Sequence, residues 1–198
     1  MKIMKKLFSV IAMYFMLAML VSCQEESGLI LRRDANGLWG YVDKNDNFVI
    51  EPQFVDARDF AEGMASVVPQ GADNKWGYID EKGRLVIAAH YKTAQPFSEG
   101  LAGVDAGDAE TFSYGFIDKT GHFVIDPQFC YVRPFSEGLA TVAVGHDASD
   151  SKWGYIDNTG RFVIESKYDD ADTFINGEAS VKLNGDLFTI DKQGNRVR

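Results

Sequence analysis

At 198 residues, 45% of them hydrophobic and 25% charged, the chain has the size and composition of one globular domain or a short repeat array, which excludes wholesale disorder and two large domains. A formal net charge of −9 gives nucleic-acid binding no electrostatic support, and two cysteines cannot build a disulfide framework. Aromatics at 13%, beside 19 Gly and only 5 Pro, point to strands joined by tight turns.

The chain opens with Lys2, Lys5 and Lys6, followed by an apolar run of 15 residues from Leu7 to Val21. That run is shorter than the roughly 20 residues a helix needs to cross a bilayer, and it has the layout of a secretory signal. It ends in Leu20-Val21-Ser22-Cys23, which resembles the bacterial lipobox. The resemblance implies a signal peptide over residues 1–22 that is removed. It also implies a diacylglyceryl group on the Cys23 thiol and a further acyl chain on the new amino terminus; two or more chains anchor stably where one is marginal. Without the three lysines the chain carries 17 basic and 29 acidic residues, net −12, so the acyl chains and not the body must hold it to anionic lipid. Residues 23–28 are the lipidated cysteine and a short tether, whose five residues after Cys23 span at most about 17 Å. Glu25-Glu26 resembles an acidic signal found behind the cysteine of some surface lipoproteins. The expected location is a bacterial cell envelope, at the outer membrane through lipid on Cys23, with the periplasmic or surface face left open.

Residues 29–198 repeat one unit about five times. Trp39-Gly40-Tyr41-Val42-Asp43 returns as Trp76-Gly77-Tyr78-Ile79-Asp80, Tyr114-Gly115-Phe116-Ile117-Asp118 and Trp153-Gly154-Tyr155-Ile156-Asp157, the Gly advancing by 37, 38 and 39 residues. A worn copy, Leu187-Phe188-Thr189-Ile190-Asp191, closes the series. Each copy continues through a turn into an apolar segment such as Leu85-Val86-Ile87, an aromatic connector (Tyr91, then Phe97), and a Glu-Gly or Asn-Gly turn at 62–63, 99–100, 137–138 and 176–177. A third segment carries Ala and Val, as at Ala102 and Val104.

These residues resemble the WG-repeat family, Lys75–Val104 and Lys152–Val181 most closely. The resemblance marks Trp39, Gly40, Trp76, Gly77, Tyr114, Gly115, Trp153 and Gly154 as a structural signature. It implies a binding or scaffold role without a reaction. Asp46 in place of the turn Gly, Tyr114 in place of Trp and the missing Trp-Gly of the fifth copy argue against Trp-Gly as a ligand-contacting signature.

The turn Asp80-Glu81-Lys82-Gly83-Arg84 has the character of a three-residue hairpin loop with a left-handed Gly. Pairing Asp80 with Arg84 sets Ile79 against Leu85, Tyr78 against Val86 and Gly77 against Ile87, which leaves both faces of the hairpin apolar. A two-sided apolar sheet must be covered above and below, so one unit does not fold alone. The expected fold is all-β: about five three-stranded antiparallel meanders, with units near 29–63, 64–100, 101–138, 139–177 and 178–198. They stack as an open superhelix or solenoid, with a small closed β-propeller as the alternative. Gly194–Arg198 is expected to close the fifth sheet. The polar fifth unit favours the open stack, since a ring needs no end cap.

Residues with chemical potential have plainer readings. The recurring Asp43, Asp80, Asp118, Asp157 and Asp191 precede hairpin loops and fit acceptors of turn N–H groups. Asp43–Asn47 imitates the start of a calcium loop but has Phe48 where Gly is required. His90, His122 and His146 share no metal-ligand spacing, and Cys130 has no local base beside it. No catalytic residue, metal site or cofactor is expected, and the chain is read as not an enzyme. In-phase Trp39, Trp76 and Trp153 are expected to pack between sheets. The functional expectation is a lipid-anchored, non-catalytic scaffold that binds an unknown protein partner and not nucleic acid, with glycan binding at the surface as the alternative and an enzyme assembled across repeats last. The variable loops Pro69–Asn74, Asp105–Thr111 and Gly145–Ser151 are the expected recognition elements.

Overall fold

The computed structural model describes residues 28–107, 112–145 and 150–197. The expected signal peptide, Cys23 and most of the tether lie outside these residues, as do His146 and parts of the loops at 105–111 and 145–151.

Strands β1 (Ile30–Arg33), β2 (Trp39–Val42), β3 (Phe48–Ala57), β4 (Met64–Pro69), β5 (Trp76–Asp80) and β6 (Leu85–Tyr91) form a six-stranded sheet in chain order. A second sheet holds β7 (Thr93–Ala94), β8 (Ala102–Asp105), β9 (Tyr114–Ile117) and β10 (Phe123–Phe129). A third holds β11 (Tyr131–Val132), β12 (Ala140–Val144), β13 (Lys152–Ile156) and β14 (Phe162–Tyr168), and a last holds β15 (Asp170–Ala171), β16 (Glu178–Leu183) and β17 (Asp186–Asp191). Pairing is antiparallel throughout, and among the described residues there is no helix and no closed barrel.

The six-stranded sheet is two repeat units joined by β3, whose start pairs with β2 (Val42↔Phe48) and whose end pairs with β4 (Ala57↔Val67). In later units the same path bends at Lys92, Cys130 and Asp169, so its last two residues become the separate strands β7, β11 and β15. Each unit after the first is thus a meander that receives a short strand from the unit before it. The fifth unit, which forms the last sheet, is built this way from β15, β16 and β17. Gly194–Arg198 does not supply a closing strand: beyond the loop bonds of Gly194 and Asn195 to Asp191, its described residues form an isolated Ile190↔Arg196 bridge and a Val197 N–H bond to the Thr189 carbonyl (2.8 Å).

The hairpin register also departs from simple alternation. Ile79 does pair with Leu85, but Tyr78 pairs with Ile87 and Trp76 with Tyr91. β6 carries one extra residue between the Leu85 and Ile87 pairs, a bulge, and two more between the Ile87 and Tyr91 pairs; these turn Ile87 and Tyr91 inward and leave Leu85 and Val86 at 49% and 45% exposure. The Trp-Gly glycine makes this possible. A Cβ on Gly77 would lie 2.5 Å from the Ile87 carbonyl oxygen, and Gly40, Gly115 and Gly154 meet the carbonyls of Ile50, Ile125 and Ile164 in the same way at 2.5–2.7 Å. The fifth unit, with no strand after β17 among the described residues to press on it, carries Phe188 at this position.

Four apolar layers lie between the five units. Tyr41, Ile50 and Phe54 of the first unit pack with Ala65, Val67 and Ile79 of the second; Tyr78, Ile87 and Tyr91 then pack with Ala102, Val104 and Ile117. Phe116, Ile125 and Phe129 meet Ala140, Val142 and Ile156, and Tyr155, Ile164 and Tyr168 meet Ala179, Val181 and Ile190. The two apolar faces of each sheet therefore belong to different layers, as expected for units that cannot fold alone.

One end of the strands is bound by repeated devices. The hairpin-loop glycine of each unit after the first sits over an isoleucine of the unit before: Gly83 over Ile50, Gly121 over Ile87, Gly160 over Ile125 and Gly194 over Ile164. The Glu-Gly turns close with reciprocal bonds, as Ser98 and Leu101 do, and both central residues have positive φ (Glu99 54°, Gly100 83°), the primed geometry that suits hairpin twist. The Gly100, Gly138 and Gly177 N–H groups donate to the carboxylates of Glu62 (3.1 Å), Glu99 (2.9 Å) and Glu137 (2.9 Å) one turn earlier. Lys119 Nζ donates to the Glu62 carbonyl at 2.7 Å, and Lys192 Nζ to the Glu137 carbonyl at 2.8 Å. Ser98 and Ser136 hydroxyls donate across units to the Phe135 and Phe174 carbonyls, each at 2.7 Å.

Candidate functional site

The recurring aspartates are spent at this bonded end. Asp80 Oδ1 accepts from the Lys82 and Arg84 amides at 3.0 Å, and Asp43, Asp118, Asp157 and Asp191 hold their loops in the same way. These bonds favour the charged form. The Arg84 guanidinium holds Asp80 below the usual carboxylate range; the Asn47 amide does so for Asp43, the Thr120 and Thr159 hydroxyls for Asp118 and Asp157, and the Asn195 side chain for Asp191. No group of three or more His, Cys, Asp and Glu among the described residues is placed to hold a metal ion. His122 Nδ1 is 2.7 Å from the Thr120 hydroxyl, His90 lies against Tyr91, and the Cys130 thiol donates to the Ala143 carbonyl at 3.2 Å.

The opposite end carries the Trp residues and the variable loops. Here the elements place Arg33 at the end of β1, Trp39 at the start of β2, Val55 and Asp56 in β3, Val68 in β4, Asn74 in the loop before β5, and Trp76 at the start of β5. Together they line a groove of about 420 Å³ between the first two units. Pairing explains the grouping: Arg33 is opposite Trp39, Asp56 is opposite Val68, and Trp76 follows Asn74 across a tight turn in which Lys75 N–H donates to the Ala72 carbonyl at 2.8 Å. Asp73 and Asn74 both hold positive φ (48° and 60°) to make that turn.

Each Trp carries a guanidinium over its ring: Arg33 over Trp39 at 5.4 Å, Arg58 over Trp76 at 4.7 Å and Arg133 over Trp153 at 5.2 Å. The expectation that Trp packs between sheets holds for part of each ring, since all three are half-buried against the apolar layers. Trp39 and Trp76 also wall the groove, a role that their even spacing does not disclose. Tyr114, in the Trp position of the third unit, is 4% exposed and accepts from the Thr93 hydroxyl at 3.2 Å. Of the expected recognition loops, the loop at 69–74 contributes Asn74; the other two are described only in part.

Arg33 and Asp56 carry no sequence signal that singles them out. Arg33 stands beside a second arginine before a Gly-containing turn and is not repeated in the later units, while Asp56 follows Val55 in a connector and returns only in the fourth unit, as Asp170, which accepts from the Ala171 amide as Asp56 does from that of Ala57.

Compared with known families, the chain matches the WG containing repeat over residues 39–68, 76–108, 114–145 and 153–185. The protein belongs to this family of tandem repeats. A search of curated proteins returned no match.

Proposed function

We propose that the protein is a lipid-anchored, non-catalytic binding scaffold of a bacterial cell envelope, its five units stacked as an open superhelix with the variable end presented to a partner. The observation that carries the binding reading is the division between the two ends. At one end each of the first three units spends a glutamate on holding the next; at the other, side chains differ from unit to unit and two Trp residues wall a groove.

The open stack is supported by residues of its first and last units. Asp46 stands where Gly83, Gly121, Gly160 and Gly194 sit over an isoleucine, and no described unit precedes it. Asn176 stands where Glu62, Glu99 and Glu137 reach forward, and no following turn is described for it. The anchor is supported by the basic start, the apolar run Leu7–Val21 and the lipobox-like Leu20–Cys23.

Two experiments test this reading. Cys23→Ala is expected to move the protein from the membrane pellet to the soluble fraction; continued pelleting rejects the lipid anchor. In-cell crosslinking of the native protein, followed by identification of what it captures, is expected to yield a partner that is lost when residues 69–74 become a short Gly-Ser turn. Unchanged capture removes the variable end from recognition.

A further inference from the structure

Resting on the scaffold reading, we infer that the groove between Trp39 and Trp76 binds an uncharged saccharide chain.

The other gaps at this end are filled or lack the pair of indoles. Between the third and fourth units Tyr131 takes the position that Asp56 has in the first gap, and its ring lies 5.4 Å from Tyr114 and 5.8 Å from Trp153. Between the second and third units the Tyr114 hydroxyl is taken by Thr93, and Lys92 lies over the Phe112 ring at 4.5 Å. Between the fourth and fifth, Leu187 replaces Trp, and Lys152 pairs with Asp169 at 2.5 Å. The first gap combines two indoles with open space, and its volume of about 420 Å³ lies within the roughly 300–1,000 Å³ of small-molecule sites.

The polar groups in that gap fit a polyol. Arg33 donates from Nε to the Gly37 carbonyl at 2.8 Å, which fixes the guanidinium over Trp39 and leaves its terminal nitrogens for a ligand. Asp56 Oδ1 accepts from the Ala57 amide at 2.9 Å, leaving the other carboxylate oxygen without a partner among the described residues. The Asn74 side-chain amide is likewise unengaged there. One planar fork of donors, one carboxylate acceptor and one amide match vicinal hydroxyls, while the parts of the two indoles that wall the groove, beside the guanidinium over each ring, offer apolar surface to the C–H groups of pyranose rings. Among the lining residues the Arg33 charge is matched by that of Asp56, so the lining itself carries no net charge. A peptide adding as a strand would have to pair with β1, the edge strand that contributes Arg33, whereas β3 and β4, which supply Val55, Asp56 and Val68, are paired with each other.

The test uses the full mature chain, its tryptophan fluorescence and titration calorimetry, against cellohexaose, maltohexaose, mannohexaose and chitohexaose (as the N-acetylated sugar), with a galacturonate hexamer as the anionic comparison. At least one neutral hexamer is expected to shift the emission and to bind better than the galacturonate. Trp39→Ala and Trp76→Ala are expected to weaken it at least tenfold and Trp153→Ala less than twofold. Because truncating a half-buried Trp can perturb folding, Asp56→Ala and Asn74→Ala, both at exposed positions, are measured beside them and are expected to weaken binding several-fold with unchanged melting. No response to any neutral hexamer, tighter binding of the galacturonate, or equal loss in Trp153→Ala overturns the inference. If a protein partner is crosslinked at residues 69–74 while no sugar binds, the saccharide assignment fails and the scaffold reading stands; absence of both rejects the two together.

Discussion

The Gly138 amide donates to the carboxylate of Glu99, 2.9 Å away and 39 residues earlier, at the same corner of consecutive turns. Glu99 holds a φ of 54°, which side-chain-bearing residues avoid, so the bond offsets a local cost with a contact between units. Glu99→Ala keeps the strain and removes the acceptor. The expected loss is about 1–2 kcal/mol of unfolding free energy by chemical denaturation, with Glu99→Gln losing less because its amide oxygen still accepts. An Ala variant as stable as the parent would mean the bond contributes nothing.

Two glycines with similar φ separate conformational cost from packing cost. At Gly138 (φ 85°) an added Cβ would meet nothing within 4 Å, so Gly138→Ala is expected to lose only about 1 kcal/mol. Gly83 (φ 75°) would bring a Cβ within 2.9 Å of the buried Ile50 Cγ2. Gly83→Ala is therefore expected to cost about 2–4 kcal/mol, since a closely packed layer cannot absorb an added carbon cheaply. Equal losses in the two variants would show that the loop does not press on Ile50.

The paired signature residues Trp76 and Gly77 have separable roles. Gly77→Ala places a Cβ 2.5 Å from the Ile87 carbonyl oxygen and 2.8 Å from the Ala89 nitrogen, both backbone atoms. It is expected to cost more than about 3 kcal/mol or to prevent folding, because the bulge must move. Trp76→Phe keeps an aromatic ring on the same layer and is expected to cost about 1 kcal/mol or less. Thermal melts of the two variants distinguish these outcomes, and a Gly77→Ala protein that melts like the parent refutes the bulge argument.

Stability is expected to fall at both extremes of pH. The loop aspartates, exemplified by Asp80 and Asp157, have folded-state values below the ordinary 3.8. Their contribution is full above that value and is lost as pH drops through the lower folded-state values, because the unfolded chain takes up protons first. Asp80→Asn, which retains an oxygen for the turn amides, should flatten part of this acid limb in urea titrations. At the alkaline side, burial raises the Tyr41, Tyr78 and Tyr155 hydroxyls well above 10, and each donates to a carbonyl, of Arg58, Gln95 and Asp172 respectively. The unfolded chain ionises near pH 10 while the folded one does not, so stability should decline above about pH 10, with tyrosinate appearing together with unfolding. Tyrosine titration in a chain that stays folded would contradict the burial of these hydroxyls.

Much of this architecture is written in the sequence because its devices are local and recur. The Asp-x-x-Gly loops, the Glu-Gly turns and the in-phase Ile and Tyr residues mark hairpins, turns and buried positions directly. The bulge is not legible there: Leu85, Val86 and Ile87 are all apolar, so alternation cannot say which of them the strand turns outward, and the reason lies across the hairpin in the missing side chain of Gly77. The third strand of the fifth unit, expected at Gly194–Arg198, escapes the sequence for a related reason, since the short strand donated by the preceding unit has only two residues and no pattern of its own. The groove is illegible because Arg33 and Asp56 stand at repeat phases other than that shared by Trp39 and Trp76, and the four meet only after two units stack. The departures Asp46 and Asn176, by contrast, become intelligible once it is seen that, among the described residues, neither has the neighbour that the usual residue would serve.

The forward reach of each glutamate to the next turn also makes chain length quantised. Duplicating a whole period, such as residues 101–138, reproduces both the donor and the acceptor of every such bond, and each isoleucine still finds a glycine above it. Adding or deleting a few residues within a strand instead throws all later contacts out of phase. Growth by tandem duplication is thereby the cheap route to a longer protein of this kind, and drift by small insertions is confined to the loops beside the tryptophans.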